Sequence, residues 1–213
     1  MEVESPAVVR RKSHLMHPLF MEWHIGLSAW IIQDGNYPDF AVGDRFEAAL
    51  EFGFYHPPAM VERGVPSAKH VEGCDYEVVA RIETVAPDLW VVDIGIKAFQ
   101  ESPPPVGALP GQMASGQIYL GIDPFFYFES LGQLPQLPPL IYTWRVLDIV
   151  RQTAPLIPAG ERMLVRDPER RGWQPLERTE AWKDDGGNGE YVLRCELLPD
   201  PPQRSRTQKG WEP

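Results

Sequence analysis

The chain has 213 residues, 43% hydrophobic and 11% aromatic, enough apolar surface to build a large core without a disulfide or metal staple. Its formal charge of −10 disfavours polyanions and anionic membranes as partners and favours cationic ones. Its 23 prolines argue against long helices and for short strands joined by proline-containing loops.

Residues 1–18 read as a flexible lead-in: Glu2 and Glu4, then Arg10, Arg11 and Lys12. His14, His17, Pro18, Glu22 and His24 interrupt the apolar core that a signal peptide would need, and no window reaches the roughly 18 apolar residues of a membrane span. Cys74 and Cys195 are far apart and form no CxxC, the pattern of free thiols in a reducing compartment. The expectation is a cytoplasmic protein with no membrane partner.

From Leu19 to Ile31 apolar residues alternate, with Trp23, Ile25, Leu27 and Ala29 on one face and Glu22, His24, Gly26 and Ser28 on the other, which predicts one long strand that can bend at Gly26. Asp34-Gly35-Asn36 supplies a turn, and Arg45 to Phe54 returns with Phe46, Ala48, Leu50 and Phe52 on one face, so a hairpin is expected. Tyr55 to Gly73 reads as a long loop, a type that often carries function. Tyr76 to Val85 and Leu89 to Phe99 form a second predicted hairpin around Ala86-Pro87-Asp88. Glu101 to Gly111, with Pro103, Pro104 and Pro105 in succession, reads as a polyproline-like surface segment.

The centre of the chain is Gly116 to Gly132. Ile118, Leu120 and Ile122 share one face of a strand, which runs into a short helical turn near 124–131. Asp123 suits its cap, Pro124 its first position and Gly132 a left-handed stop. Phe125, Phe126, Tyr127 and Phe128 then stand in a row, to be buried or presented to a partner. Ile141 to Val150 reads as a strand buried on both faces. Arg162 to Arg166, Trp173 to Trp182 and Tyr191 to Leu198 supply the remaining extended pieces, with a Gly-rich turn at Asp184 to Gly189. Residues 199–213 read as a mobile tail. These elements predict a mainly β chain: a single antiparallel barrel over 19–198, OB-like with extra strands, with a β-sandwich or jelly-roll as the alternative.

Each candidate site has a plainer explanation beside it. His14, His17, His24 and Glu22 could hold zinc or iron, or be surface side chains. Asp184 to Glu190 offers hard oxygen ligands but fails the twelve-residue calcium-loop pattern, and a solvated turn explains the same residues. Asp93, Asp123 and Asp148 lie in or beside apolar strands and would suit acid/base chemistry if they converged; no hydrolase, metalloprotease or nucleotide fingerprint accompanies them. Aromatic platforms and the arginines between Arg162 and Arg178 would suit single-stranded nucleic acid, but intervening acidic residues dilute the charge.

The reading these features favour is a non-catalytic protein-binding module without metal or cofactor, either neutralising a basic partner in the manner of an immunity protein or serving as a subunit of an assembly. Its expected contact residues are Phe125, Phe126, Tyr127, Tyr119 and Trp173, with the loops Tyr55–Gly73 and Glu101–Gly111. An OB-type nucleic-acid binder, and a small-ligand barrel or enzyme using Asp93, Asp123 and Asp148, are the alternatives.

Overall fold

The computed structural model describes residues 22–160 and 164–206. The lead-in over 1–18, with His14 and His17, lies outside them. Strand β1 (Glu22–Ser28) buries Trp23, Ile25 and Leu27 as its alternation predicts. It does not extend to Ile31. Ala29–Gln33 turns into helix α1, which buries Ala29, Ile31 and Ile32, a spacing that a strand cannot put on one face.

The next strands are β2 (Arg45–Ala48), β3 (Leu50–Phe54), β4 (Ala59–Val61), β5 (Ser67–His70), β6 (Asp75–Ala86), β7 (Leu89–Asp93), β8 (Lys97–Gln100) and β9 (Met113–Ile122). Five of them close a barrel in the order β3-β9-β6-β7-β8, with β8 returning to β3 through a parallel pairing of Glu51 with Phe99. The closed barrel with extra strands is the architecture expected, and β6 and β7 form a hairpin around Pro87-Asp88, but the arm expected to run from Leu89 to Phe99 turns at Gly95 (φ +105°) into β8, which pairs back on β7. Leu50, Phe52, Ala80, Ile82, Trp90, Val92, Ile118 and Leu120 belong to its core, where Phe52 meets Trp90 edge to face at 5.0 Å. The loop predicted from Tyr55 to Gly73 contains two short strands: β4 pairs with β9 and β5 with β6.

Helix α2 (Phe126–Glu129) follows β9 and covers the outside of the barrel. Asp123 is fully buried and its carboxylate accepts from the backbone N–H of Phe126 (2.9 Å) and Tyr127 (3.0 Å), so it caps this turn as expected, although the helix begins at Phe126 and not at Pro124. Gly132 is not a left-handed stop. It lies in a 3-10 turn where a side chain would collide with the Arg204 carbonyl, so close packing explains the glycine.

Strands β10 (Tyr142–Gln152), β11 (Leu156–Pro158), β12 (Leu164–Arg166), β13 (Trp173–Leu176) and β14 (Glu190–Leu197) complete the chain. β2, β10, β14 and β1 form a second sheet with β13 beside the far half of β10, while β11 and β12 make a separate two-stranded hairpin. β1 therefore pairs with β14 at the other end of the chain, and the hairpin expected between Leu19–Ile31 and Arg45–Phe54 does not form. That second segment divides at Ala49: β2 joins β10 and β3 joins β9. The two sheets also meet at Gly26 and Gly121, which pair in parallel without side chains between them. β10 is buried on one face only. A bulge between Val146 and Asp148 shifts its register, so Trp144, Val146 and Ile149 all point inward while Arg145 is exposed.

The tail is held at its start. Gln203 bridges to Ile141, and the Arg204 guanidinium donates to the carbonyls of Gly132, Leu134, Pro135 and Leu137.

Candidate functional site

Residues opposite one another in antiparallel pairs share a face. Gly26 opposite Val192, and Ser28 opposite Glu190, therefore lie on the outer face of the second sheet, the side away from Trp23 and Leu193. Because Gly26 has no side chain, Cys74 of the barrel packs directly over this face. A Cβ at Gly26 would sit 3.1 Å from the Cys74 sulfur. Gly26 and Val192 of this face, with Cys74, line a cleft of about 540 Å³ between the second sheet and the barrel. The turn Glu72–Asp75 and Tyr55 form the barrel wall; Trp173, Arg171 and Leu156 form the facing wall; Arg166, Asn188 and Glu190 close one end.

Local hydrogen bonds fix the barrel wall. Val71 N–H donates to the Asp75 carbonyl, Asp75 N–H donates to the Glu72 carbonyl, and a ring nitrogen of His70 lies 3.0 Å from the Gly73 carbonyl. Gly73 has φ +55°, and a Cβ there would stand 3.3 Å from the Trp173 ring, so only glycine combines this turn with that approach. Tyr55 donates its phenol to the Asp75 carboxylate at 2.6 Å. At the closed end Arg166 donates to the carbonyls of Ala154 (2.9 Å) and Asn188 (2.6 Å) and pairs with the Asp185 carboxylate, while its Nε is buried without a partner among the described residues. Glu190 accepts from Ser28 Oγ at 2.6 Å.

Burial raises three titrating groups of the cleft, Cys74, Tyr55 and Glu190. Burial, and then the Asp75 charge, pushes the Cys74 thiol up to about 11, so at neutral pH it is not the thiolate that nucleophilic attack requires. Burial and the hydrogen bond to Asp75 push Tyr55 up, and burial raises Glu190 against the opposing effects of Ser28 and Arg166. What the cleft offers is aromatic surface, acceptor oxygens and shape.

The expected contact residues do not form one surface. Trp173 lines the cleft and is 37% exposed. Tyr119 is 41% exposed and meets Tyr55 edge to face at 6.2 Å, beside the cleft. Tyr127 is fully buried, and Phe126 and Phe128 pack around it in a second, smaller core with Leu89, Val91 and Phe99. Phe125 is half-buried against Phe126. Most of the aromatic turn thus covers the outside of β7 and β8.

The three aspartates do not meet. Asp93 pairs with Arg81 at 2.8 Å, Asp123 caps α2, Asp148 accepts from its neighbour Ile149 N–H, and none lines the cleft. In the Asp184–Glu190 turn, Asp184 binds Arg151 and Tyr191 while Asp185 binds Arg166, so these carboxylates hold the fold. His24 stacks on His70, and among the described residues no three His, Cys, Asp or Glu side chains converge as metal ligands. No helix among the described residues is long and apolar enough to cross a membrane. Tyr55, Glu72 and Gly73 of the cleft belong to the loop expected to make contacts, and Glu190 to the turn weighed as a cation ligand, whereas no sequence feature marks Cys74 and Asp75 as site residues. Of the two loops expected to make contacts, Tyr55–Gly73 brings both its ends to the cleft, and no residue of Glu101–Gly111 lines it. Comparison with known protein families, curated proteins and solved structures finds no match for this chain.

Proposed function

We propose that this chain is a non-catalytic protein-binding module of the cytoplasm, and that it receives a segment of its partner in the cleft between the barrel and the second sheet. The observation that carries the reading is the concavity itself, about 540 Å³ with the exposed rings of Tyr55 and Trp173 at its rim. Exposed aromatic side chains beside a preformed hollow are the usual anchors of recognition. The protonated Cys74 and Tyr55 favour binding over covalent chemistry, and the acidic charge of the chain favours a basic partner.

The test is affinity capture from host lysate with the tagged full chain and with a Tyr55→Ala/Trp173→Ala variant, washed at low and at moderate salt, with mass spectrometry of what is retained. The reading predicts one protein recovered in stoichiometric amount by the wild type and lost from the variant. Equal recovery by both proteins contradicts the cleft as the contact site, and recovery of no protein contradicts the choice of a protein partner.

A further inference from the structure

We infer that the group this cleft receives is cationic: the ammonium or guanidinium of a lysine or arginine side chain carried by the partner. The inference rests on the cleft being the binding site, and adds the chemical class of what enters it.

The cleft carries two guanidinium groups and three carboxylates, and they are committed to different degrees. Of its two guanidinium groups, Arg166 is ion-paired with Asp185 and hydrogen-bonded to two carbonyls. Arg171 is exposed and has neither hydrogen bond nor ion pair among the described residues, although its charge reaches the Tyr55 phenol. Of the three carboxylates, Asp75 gives one oxygen to Tyr55 and Glu190 gives one to Ser28, while the Glu72 side chain has no partner among the described residues. Acceptor oxygens therefore remain on all three. An incoming cation meets these oxygens, whereas an incoming anion meets only Arg171 and the buried Nε of Arg166.

Two further features agree in sign. Tyr55 and Trp173 present aromatic surface, whose negative face attracts cations, with guanidinium the commonest partner. The charge of −10 draws basic segments toward the whole molecule. The hollow is also large enough for a long aliphatic stem together with its charged head.

The experiment titrates the isotopically labelled full chain with two capped tetrapeptides, acetyl-Gly-Arg-Arg-Gly-amide and acetyl-Gly-Glu-Glu-Gly-amide. It follows the Trp173 indole and the amides of Gly73, Cys74 and Asp75 by NMR. The arginine peptide should move these signals. Glu72→Gln, an exposed change that leaves the Tyr55 bond intact, should weaken it roughly threefold, and Glu72→Gln with Asp75→Asn at least about tenfold. Arg171→Ala should strengthen it by roughly twofold to threefold. Tighter binding of the glutamate peptide at the same signals overturns the cationic class and leaves the cleft standing as the site. Failure of both peptides to move these signals also overturns the inference. The reading of the cleft itself fails separately, if the captured partner is indifferent to Tyr55→Ala/Trp173→Ala.

Discussion

The imidazoles of His24 and His70 stack with 3.8 Å between ring centroids and 17° between planes, joining β1 of the second sheet to β5 on the barrel side. The Tyr76 phenol, edge-on to His70, accepts from His24 N–H at 2.6 Å. His70 in turn lies against the Gly73 carbonyl, so the stack ties the cleft wall to the sheet that forms its floor.

Acid should loosen this tie. The His24 pKa is lowered from 6.5 by burial first, then by His70 and Arg194, against the opposing pull of Glu22 and Asp148. Below pH 6.5 the unfolded chain takes up this proton before the folded one does, so the contribution is present above that pH and is lost as pH falls. His24→Gln should flatten the pH dependence of Tm below 6.5 and shift Tm by about a few degrees. A wild-type and a variant curve that run parallel across that range would contradict the assignment.

Glu51 should act with the opposite sign. Burial, and then the charges of Asp123 and Glu101, push its carboxyl up to about 7 from 4.5. The folded state binds this proton more tightly than the unfolded state, so the stabilising effect is complete below 4.5 and is lost as pH rises through about 7. Glu51→Gln should therefore be more stable than wild type at pH 8 by about 1 kcal/mol, discounted for partial exposure, with the gain vanishing in acid. Denaturant midpoints of the two proteins at several pH values measure this directly.

Tyr127 belongs to the core, and its substitution should be costly. Tyr127→Ala empties the centre of the small core against Phe99 and should cost about 3–5 kcal/mol. Tyr127→Phe removes only the hydrogen bond to the Pro138 carbonyl, at about 1 kcal/mol. A Tyr127→Ala protein of wild-type stability would mean that the ring is presented to solvent.

Local signals in the sequence were sufficient for local structure. The turn between β6 and β7, the strand carrying Ile118, Leu120 and Ile122, and the Asp123 cap each depend on residues a few positions apart and form as expected, whereas the arm expected to run from Leu89 to Phe99 breaks after Asp93 into β7 and β8, which pair with each other. Partner choice was not legible. Phe46, Ala48, Leu50 and Phe52 alternate without interruption, yet the chain passes from one sheet to the other at Ala49, because alternation fixes which face is buried and not which strand lies alongside. β1 pairs with a strand more than 160 positions away, with Ser28 bonded to Glu190 across the pair. The cleft was invisible for the same reason: Tyr55, Cys74, Trp173 and Glu190 come together only through these long-range pairings. The aromatic row at Phe125–Phe128 has to be buried or presented, and the choice rests on β7 and β8 needing an outer cover, which the local sequence does not show.

Arg204 should behave as a clasp. Its guanidinium binds four carbonyls of the 132–137 segment, and Arg206 beside it lies between the rings of Tyr37 and Phe128 at 4.1 and 3.8 Å. Arg204→Ala removes the donor shared by these carbonyls, of which Leu134 keeps the Leu137 N–H, and should cost about 1–3 kcal/mol. Amide hydrogen exchange should quicken over residues 131–137 while β6 and β9 keep their protection. Uniform acceleration across the barrel would show that the segment is not a separately opening unit.

The most direct test of the cleft as the contact site is site-specific photo-crosslinking to the captured partner. One probe replaces Asn188 inside the cleft, and another replaces Leu109, which is exposed on the proline-rich loop between β8 and β9. The account predicts a covalent adduct from position 188 and none from 109. An adduct from 109 alone would move the contact site to the proline-rich loops and contradict the account.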